Sequence, residues 1–490
     1  MSRGRLSLVA AGLALWACLA PSNALALYFR LDGDRLWLQA DQVPLVEVLR
    51  QFAHAGVTVR LDPDIRATVQ AAFRGVSLDD ALSELLDSYD YLVTWKMLRG
   101  PLGRVPKLQE IEIFVPGCRP SARPLSGSPA RFSTTRGVAG DAPEFIRDEL
   151  LIGVRSGTTY ARFQQLLDQV GGMIVDVDAD TGVYLIRFPP GTNVEELLTR
   201  LARHPLVAHA ELNHAIRLPA GSRPSPLSWS IPPVSPPADG SIPVAVLDSG
   251  LDPAAGIGPL VTAGWDAVSP DRALSDPDGH GTHMALLASG LLAADGLQTS
   301  GETLPLVSVR AFDEDGVTSN FAILQALAYA AQAGARVVNL SWGSEADSDF
   351  LRAAVETASA NGLVVVAAAG NEPSGRPVYP AAYPSVLAVG GLGSGGQPWE
   401  LSNFGGFVDL SASAFATLPV RNDGAAGTYV GTSISSAAVA HALGQYFNRH
   451  PAATPEEALE ALRAALSAPP ADGYGAGVLD ADALGRFLAP

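Results

Sequence analysis

Residues 242–250 read IPVAVLDSG, a run of six apolar residues that ends in an aspartate and two small residues. Apolar residues on both faces are typical of a strand in the middle of a parallel sheet, which helices cover on both sides. The segments 337–340 (VVNL) and 363–368 (LVVVAA) have the same character, and helical patterns such as 320–333 lie between them. This alternation predicts a doubly wound, mostly parallel α/β sheet over 241–490, with its ligands at the carboxyl ends of the strands.

Residues able to do chemistry follow these strands or begin the neighbouring helices. Asp248 follows the first strand, and Asn371 follows VVVAAAG. His280 lies in SDPDGHGTHMA and is the one histidine of the chain with glycine on both sides, while Ser433 follows TYVGT. Taken singly, each has a plain structural interpretation: a turn aspartate, a capping histidine, a turn asparagine and a closely packed serine.

Taken together, the four residues suit acyl transfer. A serine hydroxyl is a poor nucleophile until a histidine takes its proton, and the imidazole needs a carboxylate to orient it. The tetrahedral oxyanion needs hydrogen-bond donors, which the Asn371 side chain and the Ser433 backbone N–H could supply. A metal site on His280 and His283 would need further ligands, and no cysteine or third histidine lies nearby in the sequence, so we predict no metal.

Three motifs carry a resemblance over all of 241–490: VAVLDSG (244–250), HGTHMA (280–285) and GTSISSA (431–437), in the chain order Asp, His, Ser. The chain resembles the subtilisin-like serine proteases (subtilases). Flanking signatures agree, namely NLSWG (339–343), AAAGNE (367–372), VYPAAYPSVLAVG (378–390), LSNFGGFVDLSA (401–412) and GYGAGVLDADAL (473–484).

The resemblance implies a serine-type endopeptidase that needs no cofactor for its chemistry. By the same resemblance, Asp248 is the orienting acid, His280 the general base, Ser433 the nucleophile and Asn371 the oxyanion donor. Ser435 and Ser436 are interpreted as helix packing.

Substrate binding is also implied by the resemblance. Ser341, Trp342 and Gly343 are expected to pair with substrate backbone like an added strand, and the bulk of Trp342 to narrow or flatten a pocket. Ala369 and Gly370, with Ala368 and Val378, are expected to wall the main pocket. No acid lies at its expected base, so apolar or small side chains should be preferred over basic ones.

The serine motif departs from the family pattern at two positions. Ile434 stands where methionine is usual, and Ala437 where proline is usual. Alanine is a good helix former, so the helix should still begin here. The two substitutions are expected to affect the catalytic rate rather than the type of reaction.

Calcium binding is frequent in this family, so a structural calcium ion is a further implication. The acidic candidates are Asp276, Asp278, Asp313, Glu314 and Asp315, although solvated loops explain these residues equally well.

Two stretches rich in Pro and Ser, 116–144 and 219–240, are predicted to be linkers that separate 27–115, 145–218 and 241–490. In 145–218 the patterns predict the order β-α-β-β-α-β of a ferredoxin-like sandwich, with Thr192-x-x-Glu195 capping the second helix. The stretches DELLIGVRSG and GVYLIRFPPGTNVEELLTRLARHPLVAHAELN resemble a subtilase propeptide of the inhibitor type. That resemblance implies that Asn213–Leu218 leads into the cleft and that self-processing occurs within 219–240.

The block 27–115 is predicted to be a small α+β module of order β-α-β-β-α-β-β. Its helices are indicated by the apolar repeat at Leu45, Val48, Leu49 and Phe52 and by the capping pattern Ser77-x-x-Asp80. The stretches QVPLVEVLRQFAHAGVTVRLDPDI and VSLDDALSELLDSYDYLVTW resemble the short N-terminal domain of secretins and TonB-dependent receptors. This implies docking to an envelope protein; a stabilising cap without a partner is the alternative.

The N-terminus reads as a secretory signal, 1–26, with Arg3 and Arg5 before an apolar run and ALA at 24–26 as the cleavage site. A lipoprotein signal at Cys18 is the less favoured alternative. Removal of the signal leaves Cys118 alone, which excludes an internal disulfide. No other segment is apolar enough to span a membrane. The net charge of −17 argues against nucleic-acid partners.

Two functions of different classes follow. One is an exported endopeptidase, periplasmic or extracellular, that cleaves protein or peptide substrates and is made as a self-processed zymogen. The other is a non-proteolytic or partner-activated binding protein on a subtilase scaffold, docking through 27–115. The presence of all four site residues favours the enzyme.

Overall fold

A computed structural model describes residues 27–116, 122–125, 132–137, 142–219, 234, 236–238, 240–270, 272–297, 302–419 and 426–489. The predicted signal 1–26, Cys118 and most of the predicted linker 219–240 lie outside these residues. The described parts of 1–96 and 106–128 form one compact unit, and those of 97–105 and 129–490 form another.

The N-terminal strands and helices begin with a hairpin where the sequence predicted one strand. The elements are β1 (Leu27–Asp32), β2 (Arg35–Pro44), α1 (Leu45–His54), β3 (Thr58–Leu61), β4 (Thr68–Ser77), α2 (Leu78–Leu85), β5 (Asp90–Gly100), β6 (Gly103–Phe114) and β7 (Arg123–Pro124). They form sheets of order β1-β2-β4 and β5-β6-β3-β7. Gly33, with φ of +55°, makes the hairpin turn that the apolar pattern does not show. Both predicted helices are present, and Ser77 caps α2 by accepting from Asp80 N at 3.2 Å.

The ferredoxin-like order predicted for 145–218 is present. A short strand β8 (Thr134–Arg136) precedes β9 (Glu144–Val154), α3 (Tyr160–Val170), β10 (Met173–Val177), β11 (Val183–Arg187), α4 (Val194–Leu201) and β12 (Val207–Arg217). The sheet order is β10-β11-β9-β12, with β8 on β9. The predicted cap of α4 was wrong by one residue: Asn193 accepts from Glu196 N, while the Thr192 hydroxyl donates to Pro189 O.

An eight-stranded parallel sheet organises the remainder of the chain. Its elements are β13 (Val244–Asp248), β14 (Val261–Asp266), α5 (His280–Ala288), β15 (Leu306–Arg310), β16 (Val317–Ser319), α6 (Asn320–Gln332), β17 (Val337–Leu340), α7 (Asp349–Ala360), β18 (Val364–Ala368), β19 (Val386–Leu392), β20 (Leu410–Ser413), β21 (Phe415–Pro419), β22 (Ala426–Val430), α8 (Thr432–Arg449), α9 (Pro455–Ala465), β23 (Val478–Leu479) and α10 (Ala481–Phe487). The strand order is β14-β15-β13-β17-β18-β19-β20-β23, and every pairing is parallel. The strands β16 and β21-β22 lie outside this sheet.

Alternate residues of β13 enter two different cores, which explains its continuous apolar run. Val244 and Val246 pack in the core that contains α5 and α8, while Ala245 and Leu247 pack in the core that contains α6 and α7. A strand with helices on both faces needs apolar side chains at every position. β13 pairs with β15 on one side and with β17 on the other, and the later strands of the chain lie on both sides of it. The carboxyl end of β13 therefore lies at the switch point of the sheet.

The helix that carries Ser433 begins at Thr432, as predicted, although Ala437 replaces the usual proline. Ile434 and Ala437 are both buried, at 2% and 0% exposure. Ser435 donates to Ala412 O and Ser413 O, each at 3.1 Å, which joins the helix to β20.

Candidate active site

Asp248 is the last residue of β13 and is completely buried. Its Oδ1 accepts from the Ser249 backbone N and lies 2.7 Å from His280 Nδ1. Glycines make this approach of α5 to the strand end possible. A Cβ on Gly281 would lie 2.4 Å from Gly250 O, and one on Gly250 would lie 2.0 Å from Ser275 O.

His280 begins α5, and a hydrogen-bonded turn fixes its backbone. Asp276 accepts from Gly279 N at 2.7 Å and from Thr282 N and Oγ1 at 2.7 and 2.6 Å. Ser249 Oγ accepts from Gly281 N at 2.8 Å. The imidazole is held between this turn and β13, and His280 is 7% exposed.

Burial disfavours the charged imidazolium and by itself lowers the pKa of His280. The charge and hydrogen bond of Asp248, together with smaller contributions from Asp278 and Asp276, outweigh this effect, so the pKa of His280 lies above its ordinary value. Burial also raises the pKa of Asp278 to about 6.

We expect the acid limb of kcat/KM to lie above pH 6.5, the ordinary histidine value. A general base must be neutral to accept a proton, so raising its pKa moves the loss of activity to higher pH. The measurement is kcat/KM against pH with a substrate that has no ionisable group near the cleaved bond. Enzyme returned from each pH to alkaline buffer controls for denaturation, and a limb at or below pH 6.5 would contradict the assignment.

Ser433 lies in the first turn of α8 and is 5% exposed. Its Oγ donates to Ser341 O at 3.0 Å rather than to His280. The carbonyl of Ser433 accepts from Ser436 Oγ at 3.0 Å and from Ser341 Oγ at 3.3 Å. The serine is thus joined to the end of β17, and its hydroxyl has to turn before His280 can accept the proton. Ser436, interpreted from the sequence as helix packing, also takes part in this network.

Asn371 follows β18 and lies beside the start of α8. Its Oδ1 accepts from Thr432 N and Thr432 Oγ1, both at 2.9 Å, which leaves Nδ2 directed elsewhere. A Cβ placed on Gly431 would lie 3.4 Å from Asn371 Nδ2 and 3.8 Å from Ser433 N. Both nitrogens therefore border one small space beside Ser433, and Ser433 N belongs to the helix turn that lacks internal acceptors.

Gly431→Ala should lower kcat by about tenfold or more, because its methyl group would fill that space and displace an oxyanion. Gly431 has φ of 162°, which is extended backbone, so the fold and Tm should be unchanged. The measurement is kcat and Tm of Gly431→Ala and of the control variant Gly395→Ala. A Cβ added at Gly395 would have no atom of the described residues within 4 Å. Equal kcat in the two variants would argue against an oxyanion at this place.

The residues expected to bind substrate lie after β17 and β18. The Trp342 side chain is 1% exposed, donates from Nε1 to Leu247 O at 2.8 Å and packs against Phe312. Its indole faces the core instead of narrowing a pocket. Pairing of the Ser341, Trp342 and Gly343 backbone with substrate stays a prediction.

Small residues surround Val378 in this region. A Cβ on Gly343 would meet Val378 Cγ1 at 2.4 Å, and one on Gly370 would lie 3.7 Å from Val378 Cγ2. Ala369 is buried beside Gly370. The expectation of a small, apolar wall remains a prediction.

The acidic calcium candidates include two carboxylates that hold turns. Asp276 accepts from the turn before α5, and Asp313 accepts from Asp315 N and Val317 N. Within the described residues, no group of three or more His, Cys, Asp or Glu is arranged to hold a metal ion. Calcium binding therefore stays a prediction.

Sequence reasoning missed the roles of Thr432 and of the Ser341 hydroxyl. Thr432 orients Asn371, from which it is separated by 61 residues, and Ser341 contacts Ser433 across 92 residues. No local pattern marks such contacts. In the described part of the chain, no helix has the length and apolarity to cross a bilayer.

A parallel doubly wound sheet with Asp, His and Ser at its carboxyl edge, in this chain order, defines a subtilisin-like serine endopeptidase. Residues 239–477 match the subtilase family, and residues 135–213 match the fervidolysin N-terminal prodomain. The chain belongs to the subtilase family.

Curated relatives agree with this assignment. Subtilisin NAT of Bacillus subtilis subsp. natto is 30% identical over 270 residues, covering 52% of this chain and 69% of the relative. Thermitase of Thermoactinomyces vulgaris is 31% identical over 226 residues, covering 45% and 77%. Among solved structures, fervidolysin from Fervidobacterium pennivorans, a keratinolytic enzyme related to subtilisin, aligns with a TM-score of 0.56. That alignment covers 73% of this chain and 63% of fervidolysin; at 19% identity it shows the fold alone.

Proposed function

We propose that this subtilase is an exported serine endopeptidase that is made as a zymogen and processes itself, with 145–218 as its inhibitor. The observation that carries the proposal is the antiparallel pairing of β12 with β16. Ala215, Ile216 and Arg217 pair with Ser319, Thr318 and Val317, and Leu218 N donates to Gly316 O at 3.0 Å. The last strand of the prodomain thus adds to an edge strand of the catalytic part.

A short chain segment connects this edge strand to the strand that lies beside Asp248. β16 follows β15, whose last residue, Arg310, is in register with Asp248. Beyond Leu218 the polypeptide enters the Pro-rich segment 219–240. A strand held at this edge can both block substrate and present the following segment for cleavage.

Two side chains of β12 cap helices of the catalytic part. Asn213 Oδ1 accepts from Phe321 N at 3.2 Å, at the start of α6. Glu211 accepts from Asp349 N at 3.1 Å and from the Ser348 hydroxyl, at the start of α7. Helix N-termini carry unpaired N–H groups and partial positive charge, so they complement a carboxylate and an amide oxygen. The prodomain therefore contributes contacts that the mature enzyme would lose.

In the proposed mechanism, Ser433 Oγ leaves Ser341 O and donates to His280 as substrate binds. His280 accepts the proton while Ser433 Oγ attacks the carbonyl carbon of the peptide bond, and Asp248 stabilises the imidazolium. The oxyanion accepts from Asn371 Nδ2 and Ser433 N. His280 then donates its proton to the leaving amine, and water hydrolyses the acyl-enzyme by the same steps.

The test compares the wild-type chain with Ser433→Ala, both expressed with residues 1–26 and probed with a fluorophosphonate. The wild type should shorten by the mass of residues 27 to roughly 230, react with the probe and yield a new N-terminus after Leu218. Ser433→Ala should show none of these three changes. A wild type that stays full length and unlabelled would instead favour the binding protein that docks through 27–115.

Export and docking form a separate part of the proposal. The signal-like segment 1–26 supports export, and the separate compact unit that contains most of 27–115 supports a docking module for an envelope protein. An exported Ser433→Ala chain should begin at Leu27. Deletion of 27–115 should change localisation or the set of cleaved proteins, and an unchanged pattern would remove the docking role.

A further inference from the structure

We propose that the segment 132–136, which precedes most of the prodomain, is a latch that fastens the inhibitory strand β12 to the catalytic part. This inference rests on the proposed inhibitor role of 145–218. It adds an element that begins before residue 135, where the match to the fervidolysin prodomain starts. The partner of the latch is the surface of this chain formed by Val268, Val317 and Ala322.

The segment forms a short strand, β8, on strand β9 of the prodomain. Thr134, Thr135 and Arg136 pair antiparallel with Ile146, Phe145 and Glu144 of β9. The Arg147 backbone N donates to Ser133 O at 2.7 Å, and Arg147 Nε donates to Thr134 O at 2.8 Å. These bonds fix the direction of the chain on both sides of residue 133.

Phe132, just before this strand, is buried. It is 8% exposed and belongs to a buried apolar cluster that is separate from the main cores. The cluster joins two prodomain residues, Ile146 and Ala215, to three residues of the catalytic part, Val268, Val317 and Ala322. Phe132 has the largest side chain in the cluster, and the cluster joins the two parts.

The latch shares residues with the inhibitory pairing itself. Ala215 and Val317 of the cluster are residues of β12 and β16, the two strands that pair. Glu144 accepts from Arg136 Nε at 3.2 Å and from Arg217 Nη2 at 2.7 Å, and Arg217 Nη2 also approaches Thr134 Oγ1 at 3.3 Å. The ion pairs are exposed and contribute little, so the apolar contact of Phe132 should dominate.

The consequence is that β12 is held to β16 from both sides. Its own backbone pairs with β16, while Phe132 shares one buried apolar cluster with Ala215 of β12 and Val317 of β16. Loss of the ring should open the β12–β16 pairing more often without unfolding the prodomain, whose main core is formed by other residues such as Phe163, Leu167 and Ile186.

The first experiment uses the full chain with Ser433→Ala, which needs no proteolytic activity. Hydrogen exchange is compared for Phe132→Ala, the conservative Phe132→Leu and the exposed neighbour control Ser133→Ala. Phe132→Ala should speed exchange at 215–218 and 317–319 by about tenfold or more. Phe132→Leu should restore most of the protection, and Ser133→Ala should match the parent.

Two results would overturn the latch. One is unchanged exchange at 215–218 and 317–319 in Phe132→Ala. The other is faster exchange across the whole prodomain core, including α3, which would mean that Phe132 stabilises the prodomain alone. If Phe132→Ala does not fold, the same comparison between Phe132→Leu and the parent decides the matter, with smaller expected acceleration.

A second experiment uses the chain with Ser433 intact and follows peptidase activity after self-processing. Phe132→Ala should release active enzyme earlier than the wild type, and Phe132→Leu should lie between them. Absence of activity in every variant would mean that the proposed protease function fails, while the exchange result would still report on the latch. Normal activity with identical release times in all three would count against the latch.

Discussion

Asp248→Asn should lower kcat by about 10⁴-fold, the loss typical when the carboxylate of a Ser-His-Asp site is replaced by an amide. Asp248 Oδ1 accepts from both Ser249 N and His280 Nδ1, whereas Oδ2 has no hydrogen-bond partner among the described residues. If the amide oxygen takes the Oδ1 position, the NH₂ group is buried without an acceptor. If the NH₂ group takes it, it opposes Ser249 N–H and forces His280 into the wrong tautomer. Either orientation removes the charge that stabilises imidazolium.

The experiment needs enzyme free of its prodomain, because the variant should not process itself. A trace of affinity-tagged wild-type enzyme can mature Asp248→Asn and then be removed, after which kcat and KM are measured with a chromogenic peptide. The exposed Asp295→Asn serves as a matched control. KM and Tm should stay close to those of the wild type, and a fall of less than tenfold in kcat would contradict the assigned role.

Asn371→Asp should lower kcat by about 10²–10³-fold with little change in KM. The aspartate can still accept from Thr432 N and Thr432 Oγ1, so the local structure is kept. What changes is the group beside Ser433 N: a donor becomes an acceptor with a negative charge. Because the opposing charge on the substrate develops only in the transition state, the loss should fall on kcat rather than on substrate binding.

Tagged wild-type enzyme can mature this variant in the same way as Asp248→Asn. The matched control is Asn361→Asp, which adds an equal charge at an exposed helix end. A loss that appears in KM, or equally in Asn361→Asp, would mean that Asn371 does not face the oxyanion. Together with Gly431→Ala, the variant tests the same small space from two sides.

Much of the fold follows from local patterns. The continuous apolar run of β13 is explained by two cores, one on each face, and the predicted helix after Gly431 is present without the usual proline. The order of elements in 145–218 also followed from periodicity and turn residues. Local patterns failed at two turns. Gly33 creates a hairpin that the apolar pattern does not show, and Asn193 caps α4 in place of its neighbour Thr192.

The sequence by itself thus determined the doubly wound class, the placement of Asp248, His280, Asn371 and Ser433 at element ends, and the family, because strand periodicity and motifs are local properties of the chain. Only the tertiary structure decided which partners those groups have. It directs the Ser433 hydroxyl to Ser341 O, turns the Trp342 indole into the core and brings Phe132 between two parts of the chain. The two hydrogen bonds join residues 92 and 95 positions apart. They depend on how helices and sheets pack against one another, and packing leaves no periodic trace in the sequence.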